Sequence, residues 1–118
     1  MAIIFVLEDD QDLRNLYTRA LKFKGYQVES AENAEKAIEL LRSGQFIPDA
    51  AVLDMSMPGL PGSAVVDYIR TQSPMPDLPI IVISCDDAFK FSLSSSEVKF
   101  IPKPINLSDL YSAVAAAV

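Results

Sequence analysis

The chain contains no histidine among its 118 residues. Imidazole is the side chain that titrates near neutral pH and a frequent zinc ligand. Its absence therefore excludes histidine-based catalytic triads, histidine-ligated zinc sites and imidazole acid–base chemistry. The possible chemistry is narrowed sharply.

Cysteine and positive charge are both scarce. The one cysteine, Cys85, cannot form an internal disulfide, and its place after an apolar stretch favours a small buried side chain over a reactive thiol. Ten basic residues against 16 acidic ones give a net charge of −6. This balance argues against direct nucleic-acid binding, which relies on basic patches, and is compatible with divalent cations or basic partners.

Long apolar runs are also lacking. The first apolar stretch, residues 3–7, is too short for a signal-peptide core or a membrane span and has no basic lead-in. We therefore expect no membrane insertion and a reducing, cytoplasmic location. Half of the residues are hydrophobic, which excludes disorder. The length of 118 residues predicts one domain over residues 1–118.

Apolar strands and amphipathic helices alternate along the chain. Strands are predicted at 3–7, 26–30, 50–53, 79–83 and 98–101, and helices at 10–24, 33–43, 63–72 and from 106 onward. Residues 86–97 lie where a further helix belongs, but four serines near its end predict at most a short or mobile helix.

This alternation predicts an α/β fold with a doubly wound, five-stranded parallel sheet between two layers of helices. Right-handed crossovers and short connections favour the strand order 2-1-3-4-5, which puts the first and third strands side by side.

Polar residues follow four of the predicted strands. Glu8 and Asp9 end the first strand, Asp54 the third, Ser84 the fourth, and Lys103 lies just beyond the fifth. Each alone is typical of a helix cap or a turn. Because ligands bind outside the carboxyl ends of parallel strands, the residues together predict one site.

The chemistry of these side chains indicates phosphoryl transfer. Converging carboxylates repel one another unless they are protonated or bridged by a cation, and oxygen ligands suit Mg²⁺ or Mn²⁺. The Lys103 ammonium and the Ser84 hydroxyl can each contact a phosphate oxygen. Asp54 is the predicted nucleophile, which would form an acyl phosphate.

Four segments, in this order, carry a resemblance to a known family: FVLEDDQDLR, VLDMSMPGLPG, PIIVIS and FIPKPI. They resemble the response-regulator receiver domains of two-component signalling, which have a flavodoxin-like, CheY-like fold. The resemblance implies that Asp54 accepts a phosphoryl group from a phosphohistidine, that Ser84 is a conformational switch, and that Lys103 contacts the phosphate.

The same resemblance implies a metal site and a second switch residue. Mg²⁺ would be bound by Asp9, Asp54 and the backbone carbonyl of Ser56, with Glu8 acting mainly through water. Phe100 would turn inward upon phosphorylation, although its strand pattern fits an ordinary core residue equally well. A cis peptide bond is implied before Pro104.

The implied partners are a sensor histidine kinase or phosphotransfer protein as donor, and a downstream protein or output domain as target. Such a domain takes a phosphoryl group onto itself and slowly loses it to water, so we expect no enzyme.

Two alternatives remain open. One is a pseudo-receiver that acts as a constitutive interaction module, suggested by the irregular segment 86–97. The other is a small Mg²⁺-dependent phosphatase with Asp54 as nucleophile. Such enzymes often carry an aspartate two residues later, where this chain has Ser56. The hypothesis of a flavin-binding protein is less favoured, since no phosphate-binding loop follows the first strand.

Overall fold

A computed structural model describes residues 1–55, 61–84 and 98–118. These ranges hold five strands and four helices. The strands are β1 (Ile3–Leu7), β2 (Gln27–Ala31), β3 (Ala50–Asp54), β4 (Ile80–Ser84) and β5 (Lys99–Pro102). The helices are α1 (Gln11–Phe23), α2 (Ala34–Ser43), α3 (Gly62–Thr71) and α4 (Leu107–Ala117). The predictions for Ser56, Cys85 and 86–97 lie outside the described residues.

All strand pairs are parallel, and the order is β2-β1-β3-β4-β5, which confirms the predicted topology. The central strands are buried on both faces, which explains their continuous apolar sequences. Pro102 is the last residue of β5, at the edge of the sheet. Proline has no backbone N–H, and on the open side of an edge strand no neighbouring strand needs that donor.

The two faces of the sheet form two cores. Alternate residues of β1 separate between them: Phe5 and Leu7 pack with side chains from α2 and α3, whereas Ile4 and Val6 pack with side chains from α1 and α4. Helices therefore cover both faces, as the sequence predicts. Among the four helices of the described ranges, none is long and apolar enough to cross a membrane.

Three helices begin at side-chain caps. Asp10, Asn33 and Asn106 each accept a hydrogen bond from the backbone N–H three residues later, at 3.0, 2.8 and 2.8 Å. The cap residue itself has extended backbone geometry, so the helices predicted from residues 10 and 33 start one residue later. Gly44, with φ of 72°, ends α2 in the left-handed conformation.

Candidate functional site

The register of the central strands brings the acidic residues together. Leu7 pairs with Leu53, so Glu8 and Asp54 leave the sheet side by side at its carboxyl edge. One carboxylate oxygen from each of Glu8, Asp9 and Asp54 lies within 4.8 Å of the other two. The predicted convergence of these three residues is therefore present.

Lys103 reaches the same point from beyond β5. Its Nζ lies 3.2 Å from Oδ1 of Asp54 and 3.7 Å from Oε1 of Glu8. Its backbone N–H donates to the carbonyl oxygen of Ser84 at 2.9 Å, which fixes the lysine to the end of β4. The Lys103–Pro104 peptide bond is cis, as the resemblance implies.

The residues of the site differ in burial: the buried ones form its floor, and the more exposed ones form its rim. Glu8 and Asp54 are each 1% exposed and Ser84 is fully buried, whereas Asp9 is exposed and Lys103 keeps 21% of its side chain in contact with solvent. A ligand would approach from the side of Asp9 and Lys103.

The electrostatics follow from this burial. Burial, and after it the neighbouring Asp54 carboxylate, raises the pKa of Glu8 from 4.5 to about 8. Burial opposes the charge of Lys103, but the carboxylates of Asp54 and Glu8 outweigh it and raise the pKa of the ammonium. In the metal-free protein Glu8 therefore holds a proton near neutral pH, while Lys103 stays charged.

The floor of the site is suited to a hard cation. Both carboxylate oxygens of Glu8 are buried and have no hydrogen-bond partner within the described ranges. Such oxygens are costly unless they gain a proton, a metal or a metal-bound water. The three acidic residues offer the oxygen ligands that Mg²⁺ or Mn²⁺ prefers. The Ser56 carbonyl, which the resemblance implies as a further ligand, falls outside the described residues.

Three residues near the site were missed by the sequence analysis. Gly62, the first residue of α3, lies so close to β3 that a Cβ would overlap the carbonyl oxygen of Asp54. Tyr17 on α1 is 3% exposed and lines a cavity of about 350 Å³ together with Lys103. Arg14 donates from Nη1 to the carbonyl oxygen of Glu8 at 2.9 Å. Of these three residues, only Gly62 could have been noticed in the sequence, because it directly follows a segment rich in proline and glycine.

Phe100, the proposed aromatic switch, is half-buried on β5. It pairs in register with Val82 and packs against the core that α2 and α3 cover. This position is compatible with both interpretations of the sequence, a core residue or a switch.

Comparison with known proteins agrees with this geometry. Residues 4–115 match the family model described as the response regulator receiver domain. Response regulator MprA of Mycolicibacterium vanbaalenii is 35% identical over 116 residues, which is 96% of this chain and 48% of that protein. The chain thus spans about half the length of this relative.

Solved structures show the same fold. Response regulator TrrA of Thermotoga maritima, in complex with Mg²⁺ and BeF, is 30% identical, with a TM-score of 0.87 and full coverage of both chains. Chemotaxis protein CheY4 of Vibrio cholerae is 23% identical, with a TM-score of 0.88 over 100% of this chain and 99% of that one. From its sequence match and its fold, this chain belongs to the response regulator receiver domains of two-component signalling.

Proposed function

We propose that this receiver domain accepts a phosphoryl group on Asp54 and changes conformation to control a downstream protein or output domain. The donor is the phosphohistidine of a sensor histidine kinase or phosphotransfer protein. One observation supports this most directly: the Lys103 ammonium lies 3.2 Å from Oδ1 of Asp54, beside two further acidic residues.

The transfer step uses the Asp54 carboxylate as nucleophile. An Oδ atom attacks phosphorus in line, a new O–P bond forms, and the P–N bond of the phosphohistidine breaks with its electron pair staying on the imidazole nitrogen. The Lys103 ammonium then neutralises the negative charge on a phosphoryl oxygen. Asp9, Asp54 and the Ser56 carbonyl would hold Mg²⁺, with Glu8 acting through water. The bound ion would supply further charge neutralisation.

Loss of the phosphoryl group reverses the state and needs only water as a second reactant. Water attacks phosphorus, the bond between the Asp54 oxygen and phosphorus breaks, and inorganic phosphate leaves. The chemistry is thus confined to the chain itself, in keeping with a family whose members generally are not enzymes.

The switch is assigned to Ser84 and Phe100. The Ser84 hydroxyl would donate to a phosphoryl oxygen, and its carbonyl already accepts from the Lys103 N–H at 2.9 Å. Because β4 and β5 pair directly, a shift of Ser84 towards the phosphoryl group would move the strand that carries Phe100. The output is then an altered surface near β5.

Acetyl phosphate with Mg²⁺ tests the nucleophile. We expect the intact mass to rise by one phosphoryl group, with acetate as the leaving group, and we expect EDTA to prevent the rise. Asp54→Asn should abolish the adduct. Asp67→Asn, which changes an exposed aspartate on α3, is the matched control and should be modified like the parent. An Asp54→Asn protein that still gains the phosphoryl group would refute this assignment.

A further inference from the structure

The segment that carries the acidic pair is held by a side chain with no assigned role. Arg14 lies in α1, half-buried, and its Nη1 donates to the backbone carbonyl oxygen of Glu8 at 2.9 Å. A guanidinium donor makes a stronger hydrogen bond than a neutral one, and its planar fork loses less freedom when it is held. The contact is therefore suited to fixing a peptide direction.

Two more hydrogen bonds hold the same segment. The N–H of Glu8 donates to the carbonyl oxygen of Ala31 on β2 at 3.2 Å, and the Asp10 carboxylate accepts from the N–H of Leu13 at 3.0 Å. Together with Arg14, these contacts fix the backbone on both sides of Asp9. None of the three uses the carboxylate of Glu8 or Asp9, so both remain available to the metal site.

The charge of Arg14 makes its position informative. A cation placed beside an acidic cluster repels a divalent ion and, by charge alone, weakens its binding. A guanidinium at this point therefore favours metal binding only if its hydrogen bond contributes more than its charge costs. The two effects have opposite signs, so a substitution that removes both can tell them apart.

We propose that Arg14 is a positioning residue for the metal site: it fixes the Glu8–Asp9 peptide so that the Asp9 carboxylate points towards an ion shared with Asp54. This role rests on the proposed function of the acidic cluster. It adds a residue from α1 that contacts neither the ion nor the phosphoryl group.

The test compares Arg14→Gln with Arg19→Gln in the full chain. Arg19 lies on the same helix and is exposed, so its loss removes the same charge without the contact. Mg²⁺ affinity is measured by titration of backbone amide NMR signals at a temperature where circular dichroism shows every variant folded. We expect Arg14→Gln to bind Mg²⁺ about tenfold more weakly. Arg19→Gln should bind as the parent does or slightly more tightly.

Ca²⁺ supplies a readout that a purely structural role would not change. Mg²⁺ requires near-octahedral geometry, whereas Ca²⁺ accepts flexible coordination. Misdirected ligands should therefore cost Arg14→Gln more affinity for Mg²⁺ than for Ca²⁺, whereas a change of charge alone would alter both alike. Arg14→Lys keeps the charge and should also lose more affinity for Mg²⁺ than for Ca²⁺, but both losses should be smaller than in Arg14→Gln. It carries the test if Arg14→Gln does not fold.

The outcomes separate this inference from the proposed function. A parent chain that binds neither cation refutes the acidic metal site and the role of Arg14 with it. A parent that binds Mg²⁺, with an Arg14→Gln protein that binds it as tightly as Arg19→Gln does, refutes only the positioning role. An equal loss of Mg²⁺ and Ca²⁺ affinity in both Arg14 variants would also refute it.

Discussion

Carboxylates border both edges of the sheet, but they meet different surroundings. At the amino edge, the exposed Asp49 accepts a hydrogen bond from the N–H of Ile3 at 2.8 Å. At the carboxyl edge, Glu8 and Asp54 are buried against each other, with the Lys103 ammonium nearby. The first arrangement ties two strands together and stabilises the fold. The second arrangement lowers the stability of the metal-free protein, because burial and mutual repulsion disfavour the charged carboxylates. A cation and a phosphoryl group can relieve this cost when they bind, so the cost favours their binding.

The largest expected effect is that of Gly62→Ala, which would break the carboxyl edge sterically. The new methyl group would overlap the Asp54 carbonyl oxygen, so β3 and α3 must separate, and we expect unfolding free energy to fall by about 3 kcal/mol. Urea denaturation measures it. Gly44→Ala, which has open space but a φ of 72°, should cost only about 1 kcal/mol. Equal losses in the two variants would contradict the close approach.

Lys103→Met should have the next largest effect. It removes the ammonium 3.2 Å from a buried carboxylate, and we expect the metal-free protein to lose about 2 kcal/mol, part of which Mg²⁺ restores. The matched control is Lys36→Met. Lys36 pairs with Glu32 at nearly the same distance, 3.1 Å, but both side chains are more than half exposed. That variant should lose less than about 0.5 kcal/mol. Similar losses would show that burial does not distinguish the two pairs.

The sequence predicted the fold and the acidic part of the site because both depend on local patterns. Glu8, Asp54 and Lys103 follow apolar runs, and the topology rules bring strand ends to one edge. Arg14 and Gly62 could not be found in this way. The importance of Arg14 lies in a hydrogen bond to a carbonyl six residues earlier, and that of Gly62 in a strand-to-helix approach; neither follows from periodicity. The helices predicted from residues 10 and 33 start one residue later because caps are not helical themselves, whereas α3 begins one residue earlier than predicted, at Gly62.

The pH dependence of the metal-free protein should reveal the cost of Glu8. Its pKa is raised from 4.5 to about 8, so between these values the folded state binds more protons than the unfolded state, and stability falls as pH rises. The charged groups around it are Asp54, Asp9 and Lys103, and the phenol of Tyr17 also lies nearby.

We expect unfolding free energy measured in EDTA to decrease steadily from pH 5 to pH 8. Glu8→Gln should lose most of this slope and be the more stable protein at pH 8. A slope of the same size in the Gln variant would assign the pH dependence to other groups.

The smallest effect is expected at the amino edge. Asp49→Ala removes the carboxylate that accepts a hydrogen bond from the Ile3 N–H. Water can take the place of this carboxylate at the exposed position, so the unfolding free energy should fall by only about 0.5–1 kcal/mol. Mg²⁺ affinity and phosphorylation by acetyl phosphate should stay those of the parent. A change in either would show that the two edges are coupled.

The strand order also divides the site between the centre and the edge of the sheet. Glu8 and Asp9 directly follow β1, Asp54 is the last residue of β3, and these two strands pair directly. Lys103 follows β5, which is the last strand in sequence and lies at the sheet edge. A chain that has formed β1 and β3 but not β5 would thus hold the acidic cluster without its ammonium. Pairing of β5 with β4 therefore brings in the positive charge that offsets the repulsion between the buried carboxylates, so the edge strand contributes to the site as well as to the sheet.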